Sequence, residues 1–381
     1  MEEWKEYKLG EITNMKNGKK RPQNNGVFPV YGGNGIMDYS DSFNAENTII
    51  VGRVGAYCGC VYKCDSKCWV SDNAISVSAK EIVDTQYLYY LMTTLDFHHH
   101  HIGGAQPLMT QDIIGDFTVS IPPLSVQHQI VQILKSLDDK IELNRRINDN
   151  LEQQAQALFK SWFVDFEPFQ DQPFVESELG MIPQGWRVEL LDNVCSYISR
   201  GITPKYDESS DELILGQTCV RNNIVTLNNA RKHLPKSKSE KWVKQWDVLI
   251  NSTGIGSLGR VGIVYFDKEN VAIDSHLTVV RVKDPIMKHY IGRNLLSRQN
   301  EIESMAVGST GQTELPRERV KAMSIIVPSN DVLVKFNSII EPMALTIYDN
   351  IKSSNVLSKT RDTLLPRLMS GELNVNDVEI D

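Results

Sequence analysis

The sequence predicts an α+β fold: two β-rich globular domains separated by a long antiparallel two-helix coiled-coil spacer, related by a pseudo-two-fold internal repeat. Three observations predict it. The chain of 381 residues is written twice. Its globular stretches are short β-branched runs cut by glycines. Each stretch then gives way to a heptad pattern about four repeats long.

The repeat is read from two matches. Trp4 in "WKEYKLGEI" matches Trp186 in "WRVELLDNV" at an offset of 182. "GGAQPLMTQDIIGDFTVSIPP" (103–123) matches "STGQTELPRERVKAMSIIVPS" (309–329) at an offset of 206, pairing Gln106 with Gln312 and Pro122 with Pro328. The difference, 24 residues, is extra length in the second globular part. So long a period is no solenoid; it duplicates a unit of domain plus helix.

The first domain is expected over 1–123. "ENTIIVGRVGAYCGCVY" reads as strands and tight turns, and "TQYLYYLMTTL" as a helix. The first spacer helix is expected over 124–163. Its apolar positions step by four and three: Ile130, Leu134, Leu137, Ile141, Asn144, Asn148, Leu151, Ala155, Leu158, Trp162. Residues 164–182 carry five acids and no base and read as an acidic linker. The second domain follows over 183–331, with strands in "WDVLINSTGIGSLGRVGIVYF". The second helix, 332–370, keeps the register: Phe336, Ile340, Met343, Ile347, Asn350, Ser354, Leu357, Arg361, Leu364, Leu368. Pro366 is expected to end or kink it. Residues 371–381 form a tail. Each helix of 35–40 residues spans roughly 55 Å, longer than a domain of this size is wide. Paired antiparallel about midpoints 146 and 352, the helices bring Asn144 toward Ser354 and Asn148 toward Asn350. Such a polar layer costs stability and sets register; the plainer reading has these positions facing solvent or another subunit.

Composition bounds the function. Hydrophobic content of 41% and charged content of 23% fit a globular protein with sizeable cores. "MEEWKEYKLGE" lacks a secretory apolar core, no run approaches the roughly 18 apolar residues of a membrane span, and six cysteines in so long a chain suit a reducing cytoplasm. The net charge of −8 is no general attractor for nucleic acid. Residues 1–123 carry 10 bases and 14 acids, whereas 183–331 carry 20 and 17. DNA binding would need local patches or charge borrowed from partners.

"SWFVDFEPF", "ESELGMIPQGWRVELLDNV" and "LLPRLMSGEL" resemble the specificity subunit of type I restriction–modification enzymes, as do "YGGNGIMDY" and the paired Gly/Gln segments before each helix. The resemblance covers nearly the whole chain. It implies two target-recognition domains that each read one part of a split DNA site, with the helices as spacer. It further implies two modification (methyltransferase) subunits, motor–nuclease restriction subunits in the full complex, and S-adenosylmethionine on those partners and not on this chain. Because the two halves differ in length and charge, the half-sites are expected to differ.

Reading DNA takes phosphate contacts for placement and base-edge contacts for sequence. In the first domain the candidates are Lys19, Lys20, Arg21, Tyr31, Asn34 and Arg53. In the second they are Arg200, Thr203, Lys205, Gln217, Arg221, Asn222, Lys232, Lys236, Lys238 and Arg260, with Arg231, Lys241 and Lys244 in the same basic run. A charge run is more often a solvated face. Gln106, Ser309, Thr310 and Gln312 read rather as a structural turn seating each domain on its helix.

Other motifs point away from chemistry. Gly254, Gly256 and Gly259 spell GxGxxG, with Asp274 twenty residues beyond Gly254, but "RVGIVYF" follows where a dinucleotide site needs a helix. Strand–turn–strand is expected. Cys58, Cys60, Cys64 and Cys68 lack a common zinc spacing, and the run His98–His101 points different ways, so no metal is assigned. A GxxxxGK[ST] phosphate loop, an NPPY/DPPY methyltransferase signature and a Ser/His/Asp arrangement are all missing, so no catalytic residue is assigned. The rival expectation is a self-sufficient enzyme acting on nucleotides or nucleic acid. It rests on the GxGxxG and on the histidine and cysteine clusters.

Overall fold

The computed structural model describes residues 4–103, 106–235, 242–308 and 313–378. The chain divides into two compact units, one of Met1–Glu142 with Ser354–Asp381 and one of Leu143–Ser353. The two long helices run Leu124–Phe163 and Asn330–Met369, and the division falls within both. Each helix therefore contributes one segment to each unit's core, and compactness partitions the chain differently from linear sequence.

In the first unit a six-stranded sheet is ordered Thr13–Asn17, Ala74–Ala79, Ala45–Gly52, Val61–Val70, Phe28–Gly32, Gly35–Ser40. Alternation fixes its faces. Ile49, Val51, Ile75 and Val77 are buried against the helix Thr85–Thr94, whose Tyr87, Leu88 and Leu91 meet them. Asp84 caps that helix, accepting hydrogen bonds from Gln86 N and Tyr87 N, both at 2.8 Å. The long helices close this core with Ile130, Ile133, Leu134, Leu368 and Met369. Pro366 does not end its helix, which runs on to Met369. The buried Leu368 and Met369 outweigh the hydrogen bond that proline cannot donate.

The second unit repeats the plan. Its main sheet begins Cys195–Arg200, Leu277–Val282, Val248–Asn251, Val261–Val264. Between the long helices, Phe163 and Phe336 stack edge-on at 4.8 Å, and Asn350 Nδ2 donates to Asn148 Oδ1 at 2.9 Å. Fifteen residues back along the first helix thus answer to fourteen forward along the second, an antiparallel pairing. Asn148 is 7% exposed, which rules out the solvent-facing reading for it. In the first unit Arg361 pairs with Asp138 at 2.7 Å in the same antiparallel sense. The segment 164–182 is structured, with a hairpin pairing Phe174–Ser177 with Gly180–Pro183 and with Phe169 and Ile182 in the core. Its aromatics, more than its acids, decide where it lies.

The duplication is visible bond by bond. Leu9 N donates to Phe117 O at 2.9 Å, and Leu191 N to Met323 O at 2.8 Å. Lys5 pairs with Ile121, and Arg187 with Val327. Ser71 N donates to Tyr31 O and Asp274 N to Leu215 O, both at 2.9 Å. Offsets between equivalent residues locate the extra length. They are 182 at Leu9/Leu191, 184 at Tyr31/Leu215, 199 at Gly52/Asn251 and 206 at Leu108/Glu314. Fifteen of the 24 extra residues fall between Leu215 and Asn251.

Candidate nucleic-acid interface

In the first unit, Lys19, Lys20 and Arg21 leave the first sheet strand and are exposed. The backbone of Lys19 is fixed, its N donating to Val70 O at 3.0 Å while its O accepts from Trp69 Nε1 at 3.2 Å. Arg21 pairs with Asp38 at 2.9 Å, across from the turn that carries the exposed Asn34. Arg53 is half-buried and donates to Asp72 O at 3.3 Å. Tyr31 is a correction. It is buried with Ile50, Cys64, Cys68, Val70 and Ala74, and burial pushes its phenol well above the usual range. It packs in the cluster with Ile50, on the sheet face away from the helix Thr85–Thr94, with 8% of its surface exposed.

In the second unit two clusters form. Thr203 and Lys205 are exposed, and Tyr206 bridges to His233, which places this loop beside Arg231–Lys232. The Arg231 guanidinium lies over the Tyr206 ring at 3.3 Å, and Lys232 Nζ donates to Glu208 O at 3.0 Å. The other cluster joins Gln217 to the glycine loop: Gln217 Nε2 donates to Thr253 Oγ1 at 2.6 Å, and Thr253 Oγ1 lies 2.8 Å from His276 Nδ1. Arg260 is exposed and braces that loop by donating to Gly256 O at 2.8 Å.

Arg200 is half-buried, and its guanidinium pairs with Glu314 at 2.7 Å and donates to Leu315 O at 2.6 Å. Arg221 and Asn222 are exposed on a two-residue hairpin pairing Arg221 with Ile224. Asn222 and Asn223 have φ of 51° and 65°, which asparagine tolerates, so turn geometry alone accounts for Asn222. Lys236, Lys238, Lys241, Ser309, Thr310 and Gln312 lie outside the described residues. Gln106 is exposed, and the flanks of its segment bridge Ile102 to Leu108 and Leu108 to Val54.

Gly254–Gly259 connects two antiparallel strands, Val248–Asn251 and Val261–Val264. Strand–turn–strand holds there, and the main support for a nucleotide-binding enzyme goes with it. Cys58, Cys64 and Cys68 are buried free thiols, and among the described residues no group of three or more His, Cys, Asp and Glu side chains is placed to hold a metal. Most second-unit candidates, from Gln217 through Lys238, lie in the stretch that absorbs the extra length.

Residues 1–153 match the family described as Type I restriction modification DNA specificity domain. The type I restriction enzyme MjaIX specificity subunit of Methanocaldococcus jannaschii is 30% identical over 323 residues, covering 80% of this chain and 72% of that one. The chain belongs to the type I restriction enzyme specificity subunits. The HindI specificity subunit of Haemophilus influenzae is 24% identical over 71% of this chain and 72% of its own. The crystal structure of the type I restriction–modification S subunit from M. genitalium has a TM-score of 0.58 at 16% identity, covering 97% and 96% of the two chains, which shows the shared fold. As a specificity subunit, the chain is the DNA-sequence-recognising member of its system. Sequence reasoning missed two features of it. One is the ion pair of Glu152 with Arg293; Glu152 follows the seam position Leu151 just as Asp138, Glu142 and Asp149 follow theirs, so nothing local singles it out. The other is the pair of matching glycine-framed loops Gly52–Cys60 and Asn251–Arg260.

Proposed function

We propose that each unit of this specificity subunit reads one part of a bipartite, asymmetric DNA site. The long helices set the gap between the parts and dock two methyltransferase subunits. Motor–nuclease subunits join in the full complex. The chain transfers no methyl group itself; S-adenosylmethionine belongs to the partners. One observation carries the reading. The units share a hydrogen-bond framework, yet the stretch richest in candidate contacts differs between them by fifteen residues. A common scaffold with unlike contact loops suits two readers of unlike sequences.

Lys19, Lys20, Lys205, Arg231, Lys232 and Arg260 are the exposed cations proposed to meet phosphates. Asn34, Thr203 and Gln217 are proposed as base or sugar contacts. The test is methylome mapping in cells carrying this chain with its cognate methyltransferase subunits. Two unlike half-sites at a fixed gap are expected. A single continuous or palindromic site would overturn the reading. Charge contacts are tested separately: Lys232→Ala should weaken binding to all sequences alike and reduce the salt slope by about one.

A further inference from the structure

Two loops share one scaffold. In the first unit, over Gly52–Cys60, Gly52 N donates to Cys60 O at 2.8 Å, Gly59 N to Gly52 O at 2.8 Å, Cys58 N to Gly55 O at 3.0 Å and Cys60 N to Tyr57 O at 3.2 Å. In the second, over Asn251–Arg260, Asn251 N donates to Arg260 O at 2.9 Å, Gly259 N to Asn251 O at 2.8 Å, Leu258 N to Gly254 O at 3.0 Å and Arg260 N to Ser257 O at 3.1 Å. The supports recur too. Met109 N donates to Arg53 O and Leu315 N to Ser252 O, both at 2.8 Å. Arg53 N donates to Asn73 O, and Ser252 N to His276 O.

Glycine fixes the path. Gly55 and Gly254 have φ of +76° and +97°, and Gly59 and Gly259 have +86° and +82°. A Cβ on Gly59 would lie 2.8 Å from His98 N, and one on Gly259 2.8 Å from Glu303 Cβ. Beneath the loops Cys58 and Leu258 are buried. The tips alone differ. The first presents Ala56 and Tyr57, with Tyr57 47% exposed; the second presents Ile255, 87% exposed, followed by Gly256 and Ser257.

A single exposed apolar side chain is ordinary. The socket is kept twice while its outward residue changes; with Cys58 and Leu258 buried beneath, and Tyr57 47% and Ile255 87% exposed, the core accounts for the socket and leaves the tip residue free to vary. The second tip is braced by Arg260, which donates to Gly256 O at 2.8 Å, and its loop is tied to Gln217 of the lengthened stretch through Thr253. We propose that these tips are specificity-determining elements, with Tyr57 and Ile255 packing against base edges of their respective half-sites. For Ile255 the matching group is a thymine methyl.

The inference rests on the DNA-reading function. Ile255→Ala and Tyr57→Ala are made separately in the complex reconstituted with methyltransferase subunits and assayed on randomised duplex targets. Each is expected to lower affinity for the cognate site about ten-fold and to relax preference at one or two adjacent positions of one half-site only. The other half-site and the salt slope should stay as in the unaltered complex. Variants that discriminate like the unaltered complex would overturn the assignment of the tips while leaving the function standing. An unaltered complex with no sequence preference would instead overturn the function, and the tips with it.

Discussion

Glu152 and Arg293 bring opposite charges into the interior of the second unit. Arg293 is 1% exposed and Glu152 8%. The Arg293 guanidinium donates to Glu152 and, at 3.0 Å, to the Tyr265 hydroxyl, which in turn donates to Glu152. This triad ties the first long helix to the helix Lys288–Ser297 and to the sheet. Removing one partner strands the other, so Glu152→Ala should cost about 3–5 kcal/mol in chemical denaturation, and Glu152→Gln clearly less. A loss within 1 kcal/mol for Glu152→Ala would contradict that role. Nearby, His289 is buried among Trp246, Lys288, Arg293 and Glu341. Burial is the main cause that lowers its pKa to about 4, against the pull of Glu341. The folded form therefore holds a neutral imidazole while the unfolded chain protonates near the ordinary value of about 6.5. Stability should be fully present above that value and fall as pH drops from about 6.5 to 4. Glu341, whose carboxyl lies below its usual range, adds loss in the same direction at lower pH. His289→Gln should flatten the upper part of that slope in thermal melts between pH 7 and 4.

At the scale of elements, the duplication together with the shared heptad register pairs the two helices antiparallel. Antiparallel pairing about the helix midpoints sets Asn148 beside Asn350, where a hydrogen bond lies. Asn144 is buried as well. A lone Asn148→Leu leaves the Asn350 amide without its partner and should cost about 1–3 kcal/mol, whereas the double change Asn148→Leu, Asn350→Leu should recover most of that. The register role predicts that the double variant also blurs the recognised gap in methylome maps; an unchanged single gap would sink it. The helix bounds were legible because 3.6-residue periodicity is a local signal. Tyr31 was misread because residue type does not say which sheet face a strand turns outward. Its burial follows from the strands that pair with its own.

At the scale of the whole chain, the proposal turns the long helices into a ruler. Deleting one heptad from each removes about 10 Å of helix, and the gap between half-sites should shrink by about three base pairs. Methylation mapping of the shortened variant reads this directly, and an unaltered gap would end the ruler idea. The sequence by itself determined the duplication, the heptad helices, the antiparallel sense and the family, because repeats, periodicity and motif strings are properties of order along a chain. Tertiary structure alone decided which side chains are available to DNA. It buried Tyr31, paired Arg200 with Glu314, located the extra length between Leu215 and Asn251, and raised Tyr57 and Ile255 on matched glycine sockets. The physical reason is that exposure and hydrogen-bond partnership are set by residues far away in sequence, which local pattern does not encode.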